Sequence, residues 1–306
     1  MRCYLVELSR SLVITVIVLC ISAMTADGAF EDVELGARPL GMGSAFVAAA
    51  DGAGAIFWNP AGLVQVDHRE LIMSYMDLYG LVSYSSVGYA QRSRVGAIGF
   101  GLVSSSDVDG VYREMVLALS AAGEVYRGLG VGANLKYLSS AANTGDIRIG
   151  EGRGLSLDLG CQYHVWENLV SLGMTFQNLV GYVSYNREAM RDIPGEKYWQ
   201  RPDFAYKAGS SVNLVRLLSI LGVGIQRPVS GIQCAAELSD SDIHMGAECI
   251  FWDAAAVRAG FRTGNALTRS ITVGFGIKLS TLRLDYAYVG SEFGSETSQF
   301  SVSINW

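Results

Sequence analysis

Apolar and polar residues alternate with a period of two through most of this chain, in runs of about 9 to 11 residues. Near the end, Phe300, Val302, Ile304 and Trp306 share one face, while Gln299, Ser301, Ser303 and Asn305 share the other. Ile271, Val273, Phe275 and Ile277 oppose Thr272, Gly274, Gly276 and Lys278 in the same way. Leu284, Tyr286 and Tyr288 oppose Arg283, Asp285 and Ala287. The pattern returns at Leu129–Tyr137, Leu155–Val165 and Val170–Phe176. Successive strand side chains point to opposite faces, so each run makes a strand with one apolar and one polar side. The runs have the length of a tilted membrane-crossing strand and exceed the common soluble strand.

Alternation alone does not say whether the apolar side faces a core or lipid, and three features favour lipid. The polar faces are rich in glycine and charge. Aromatic residues (Tyr137, Tyr163, Tyr288, Trp306) stand at expected strand ends, as interfacial girdles do. The N-terminus also reads as an export signal, with Arg2 and Arg10 before the apolar core Leu12–Ile21 and small residues at Ser22, Ala23 and Ala26. We expect a signal peptide over residues 1–29, cleaved between Ala23 and Ala29; an uncleaved anchor is the alternative. Cys20 follows Leu19 rather than a small residue, which argues against a lipoprotein. Beyond the signal, no apolar run reaches 18 residues, yet mean hydropathy is +0.27. That excludes a helical membrane protein.

Fifteen candidate strands can be drawn from residue 70 onward, and a single-chain bacterial barrel needs an even number. Connection lengths decide between them, because turns at the periplasmic end are short and outer loops longer. Short turns are expected at Arg92–Arg94, Tyr126–Gly128, Trp166–Asn168, Trp252–Ala254 and Ser280–Thr281. Long connections are expected at 104–112, 140–153, 179–203, 263–269 and 290–298. The alternation fails only across 204–239, where three strands (204–214, 218–227, 231–239) can be drawn. Two strands there restore it. The expectation is an all-β, transmembrane antiparallel barrel of fourteen strands over residues 69–306, in the outer membrane of a Gram-negative-type bacterium and surrounded by its lipids.

A three-residue turn at Trp252–Ala254 sets Glu248 opposite Arg258 on the polar face, a favourable cross-strand pair. Lys278 and Arg283 also face each other inside, with Asp285 as the nearest anion. With Arg262, these are the expected lumen charges. They either solvate and stiffen a polar lumen or line a substrate path.

Residues 36–63 read GARPLGMGSAFVAAADGAGAIFWNPAGL. They are too small and glycine-rich for a lipid-facing strand, and Pro60 would break a ladder. Gly41, Gly43, Gly52 and Gly54 suit tight backbone turns. A fourteen-stranded barrel has a lumen that wall side chains do not fill, so this segment is available as a plug. The spacing from the glycines through Asp51 to Trp58-Asn59-Pro60-Ala61 resembles the N-terminal signature of the PorV/PorQ-like family of FadL-like outer-membrane barrels. Gly246-Ala247-Glu248, Arg258–Gly264 and Leu284–Tyr288 resemble the family's C-terminal strands. The resemblance spans nearly the whole mature chain. It implies a hatch over residues 30–68, marked by Gly41, Gly43, Asp51, Trp58, Asn59, Pro60 and Ala61, folded inside the barrel.

The resemblance also implies one of two roles: uptake of fatty-acid-like hydrophobic molecules, or a place in type IX protein secretion. Uptake predicts an apolar pocket between hatch and wall near Phe46, Ile56, Phe57 and Trp58, although the same residues could merely pack the hatch. Secretion predicts a protein partner, and the aromatic, charged stretch 179–203 could bind one. A general porin is a third possibility, against which the plug argues. The net charge of −6 disfavours nucleic acid as a partner. We expect no enzyme and no cofactor. His68, His164 and His244 are scattered, and no nucleophile elbow, phosphate loop or His-Glu-x-x-His is present. Gly128–Ala133 matches a loose dinucleotide pattern but lies inside a strand. Cys161, Cys234 and Cys249 are too widely spaced for a disulfide framework or a metal site, and none is expected.

Overall fold

A computed structural model describes residues 34–306 apart from 146, 167–168, 189–194, 225–226, 241, 264–268 and 292–295. The expected signal peptide and the first four residues of the expected hatch lie outside the described residues.

Fourteen strands close into an antiparallel barrel: β1 (Arg69–Leu78), β2 (Val82–Ser93), β3 (Gly96–Asp107), β4 (Tyr112–Tyr126), β5 (Leu129–Thr144), β6 (Ile147–Val165), β7 (Val170–Arg187), β9 (Ala205–Asn213), β10 (Val229–Ser239), β11 (Asp242–Phe251), β12 (Ala255–Arg262), β13 (Ser270–Leu279), β14 (Leu282–Ser291) and β15 (Glu296–Asn305). β1 pairs with β15 and closes the ring. A fifteenth strand, β8 (Glu196–Gln200), pairs with the upper part of β7 and stands outside the ring. Among the described residues there are also three short helices: α1 (Ala37–Gly41), α2 (Ala55–Trp58) and α3 (Leu214–Ile220). A 3-10 turn, Pro60–Gln65, follows α2.

The apolar faces point outward. Ile271, Phe275 and Ile277 on β13 are 66%, 55% and 53% exposed, while Thr272 between them is fully buried in the lumen. An exterior of this kind has no water-soluble counterpart: bare Leu, Ile, Val and Phe over a closed barrel are what lipid selects. The chain is therefore an outer-membrane type of barrel. The free cysteines Cys161, Cys234 and Cys249 are half-buried.

Among the described residues of 218–227 there is no strand of the kind drawn as an option; α3 and the turn after it take up 218–222. Asn213 caps α3 by accepting from the Arg216 N–H at 3.1 Å. The run Leu214–Ile220 offers hydrophobic residues at both strand and helix spacing, and the cap decides.

Two expected loops are largely strand. In place of 140–153, β5 and β6 continue to a tight hairpin tip, and in place of 179–203, β7 runs to Arg187 and pairs with β8. Above the membrane a ladder needs only its backbone hydrogen bonds, so the apolar alternation stops while the strands continue. Tyr137, expected at a strand end, lies mid-strand on β5 opposite Leu155, which in turn pairs with Tyr182. That row lies nine residues above the lower end of β5, where a crossing strand leaves the hydrocarbon.

Candidate functional site

The hatch fills the lumen, and the wall is cut to receive it. Inward positions on six strands of the wall, β5, β6, β7, β11, β12 and β13, are glycine where the hatch touches. A Cβ at Gly132 would overlap Pro60 and Ala61, at Gly160 the Asn59 side chain, and at Gly173 Val47 and Ala48. At Gly246 and Gly260 it would overlap Met42 and Gly43, and at Gly274 it would stand 3.0 Å from the Gly41 Cα. Glycines on the polar faces therefore serve as seats rather than as breaks in the strands. Within the hatch, Gly43 and Gly52 have φ of +63° and +61°, as tight turns require. Gly41 and Gly54 do not, and Gly41 is small because Gly274 packs on it.

Inward polar side chains hydrogen-bond the hatch backbone. The Phe46 and Val47 N–H groups both donate to Glu237 Oε2 at 2.8 Å. The Gly43 N–H donates to Thr272 Oγ1 at 2.9 Å, and Gln162 Nε2 donates to the Ala48 carbonyl at 2.8 Å. Asn134 Nδ2 donates to the Ile56 carbonyl at 2.9 Å. A coiled segment without ladder partners has its backbone groups satisfied this way.

The sequence Trp58-Asn59-Pro60-Ala61 has a local explanation in this fold. Asn59 Nδ2 donates to the Val47 and Cys161 carbonyls at 2.9 and 3.0 Å, and its Oδ1 accepts from the Ala61 N–H at 3.1 Å. Pro60 opens the 3-10 turn, where its missing N–H costs nothing. Trp58 Nε1 donates to the Leu35 carbonyl at 2.6 Å.

Four of the six expected lumen charges, Glu248, Arg258, Asp285 and Arg283, form one connected lattice. Arg258 lies between Glu248 (2.7 Å) and Asp285 (2.8 Å), and Asp285 also takes Arg283 at 3.1 Å. Arg262 instead pairs with Glu34 of the hatch at 2.6 Å. Lys278 stands opposite Arg283 in register but is exposed and outside the lattice. Sequence reasoning did not single out Arg38, which joins the lattice to the hatch. Its guanidinium contacts Asp51 at 2.7 Å and Glu248 at 3.0 Å, and lies 5.3 Å from the Phe46 ring. Burial disfavours its charge, but Asp51 and Glu248 outweigh that and raise its pKa well above the ordinary value. Lys207, over the Trp58 ring at 4.9 Å, was also missed. Both are lone basic residues in sequence, and only the fold supplies their partners.

The four residues expected around an apolar pocket divide. Ile56 and Phe57 line a cavity of about 80 Å³ against β2–β7, with Leu35, Val103, Val116 and Leu138 completing its apolar side. It reaches up to Tyr84, Ser105 and Glu114. Lys136 and Asp158, paired at 2.7 Å, and Asn178 form its polar edge. Asn178 sits at an irregularity in the β6–β7 ladder with φ +52°, and its N–H donates to Asp158 at 2.8 Å. Phe46 and Trp58 lie elsewhere, packed edge to face at 5.8 Å, and Trp58 is 1% exposed.

No protein-family model matches the chain, and no curated protein matches it. Solved structures do. The Pseudomonas putida toluene transporter TodX superposes with a TM-score of 0.55 at 12% identity, over 92% of this chain and 98% of that one. A Pseudomonas aeruginosa FadL homologue gives 0.55 at 12% identity, over 87% and 97%. The chain shares the fold of these outer-membrane barrels. A TodX variant described as a monoaromatic hydrocarbon channel matches at 0.53 and 11% identity, over 91% of this chain and all of the other. At such identities the likeness concerns the fold alone.

Proposed function

We propose that this protein moves hydrophobic, fatty-acid-like small molecules across the outer membrane, and that the cavity between hatch and wall holds them. The observation behind this reading is the cavity's make-up: Leu35, Ile56, Phe57, Val103, Val116 and Leu138 give it an apolar body, and Lys136, Asp158 and Asn178 a polar edge. Binding sites for small molecules commonly combine an apolar lining with a few placed polar groups. The likeness to a toluene transporter agrees with this reading. At about 80 Å³ the cavity is smaller than the roughly 150 Å³ that accepts benzene in a protein core. A ligand therefore extends upward past Glu114 or displaces Phe57.

Native mass spectrometry of the detergent-purified protein, with extraction of what co-purifies, tests this. We expect a bound fatty-acid-like lipid in the wild type and none in Val103→Trp, which fills the cavity. Equal retention in both, or no retained lipid in the wild type, rejects the assignment.

A second reading is the finer PorV/PorQ-type assignment, a component of type IX-like secretion. It rests on the hatch motif and on the sheet projecting above the membrane. There Tyr185 and Tyr198 stack at 5.1 Å and, with Tyr112 and Arg187, line an open groove. A protein partner retained through that groove, with no lipid, favours this reading.

A further inference from the structure

Three voids lie in series past the hatch. The upper is the cavity of about 80 Å³ just described. The middle one holds about 20 Å³ and lies between the hatch and the lower ends of β1, β14 and β15, at Ile72, Ser74, Asp285 and Ser301. The lower one is a cleft of about 390 Å³ at the turn end of the barrel, lined by Asp67, His68, Glu70 and Asn305. The upper and middle voids share Leu35 and Phe57, and the middle and lower share Asp51 and Arg283. Adjacent voids with common walls trace one path along one side of the lumen.

The waist of this path has room for about one water. Its walls there are charged. Arg38 and Asp51 meet across it, with Arg38 Nη1 donating to both Asp51 carboxylate oxygens at 2.7 and 2.8 Å. Asp51 belongs to the hatch turn, whose Ala53 N–H bonds to Glu70 on β1. Arg38 is anchored on its other side by Glu248. The Arg38–Asp51 pair thus spans the narrowest point between two fixed supports. The glycine seats on β5–β7 and β11–β13 hold the hatch without this pair, so breaking it need not unseat the hatch.

We propose that the barrel contains a polar route for small hydrated ions along β1, β14 and β15, and that the Arg38–Asp51 ion pair closes it. This is a second activity, independent of any hydrophobic ligand in the upper cavity. Removing Arg38 leaves Asp51 without its cation at the waist, because Arg283, the other cation there, is held by Asp285 and Arg258 is held by Glu248 and Asp285. The opened route therefore favours cations. Removing Asp51 widens the waist while Arg38 keeps Glu248, so that route lacks cation preference.

Single-channel recording in planar bilayers tests this with wild type, Arg38→Ala and Asp51→Ala. Folding is verified by the heat-dependent gel shift of a closed barrel. The wild type is expected to stay at the bilayer background. Arg38→Ala should conduct at least tenfold above it, with a reversal potential shifted toward potassium in a KCl gradient. Asp51→Ala should conduct several-fold above it with no such shift. Folded variants that both stay at background overturn the proposal. So does a wild type that conducts as they do, or an Arg38→Ala leak without cation preference, which would mean a loosened hatch. The Asp51 side chain is 38% exposed, so Asp51→Ala decides by conductance alone if Arg38→Ala does not fold.

Discussion

The wall from β9 to β15 and the wall from β2 to β7 enclose the same hatch in different ways. On the first, the contact is polar and close, broken only by the small middle void beside Asp285 and Ser301. Glu237 holds two hatch N–H groups, Thr272 one more, and Arg38 enters a lattice with Glu248, Arg258 and Asp285. On the second, glycine seats at Gly132, Gly160 and Gly173 fix the lower hatch, but above them the contact opens into the cavity beside Ile56 and Phe57. A buried lattice of charges is rigid because each member left alone is costly. An apolar cavity tolerates exchange of its contents, since dispersion contacts are nondirectional. The molecule thus fastens its plug on one side and leaves room on the other.

The largest effect is expected at the fastened wall. Gly260→Val places a branched side chain where Met42 and Gly43 pass. We expect a loss of at least about 3 kcal/mol in urea unfolding. Val116→Leu at the cavity should cost less than about 1.5 kcal/mol in the same assay. Equal costs would erase the distinction between the walls.

Charge deletion gives a sharper version of the comparison. Glu248→Leu takes one carboxylate from each of the buried Arg38 and Arg258, leaving them Asp51 and Asp285, and should cost about 3 kcal/mol. Lys136→Met removes one partner of Asp158, which keeps the Asn178 N–H at 2.8 Å and Asn134 Nδ2 at 3.2 Å. Its cost should be nearer 1–2 kcal/mol, about the value of one buried polar partner.

The outer face provides a reference for both walls. Phe275→Arg puts a charge into lipid at mid-strand and should cost about 2–4 kcal/mol. No loss in bilayers or detergent would contradict the outward orientation of β13. The smallest effect on stability is expected from Asp51→Ala, below about 1 kcal/mol because the residue is partly solvated. Urea unfolding reads this as well.

The barrel was legible because lipid imposes a strict period on every crossing strand. Ile271–Ile277 and Phe300–Trp306 carry that period without interruption, and turn lengths then sort the strands. Legibility stopped where lipid stops. Residues 140–144, 147–153, 183–187 and 196–200 are strand by backbone pairing alone, and their glycines and charges resemble a loop. The cross-strand pair Glu248–Arg258 could be read from one turn length, whereas Arg38 bonds to a residue 210 positions away. The pocket expectation mixed two environments because Phe46, Ile56, Phe57 and Trp58 are all apolar. Only the turn of α2 separates Phe57, facing the cavity, from Trp58, turned to the Leu35 carbonyl.

Photo-cross-linking with a diazirine-bearing fatty acid, followed by peptide sequencing, tests the two-walled account most directly. The account predicts adducts on the peptides carrying Phe57, Val103 or Val116. Adducts around Phe46 and Trp58, or only on outward residues such as Leu135 and Phe275, would contradict it.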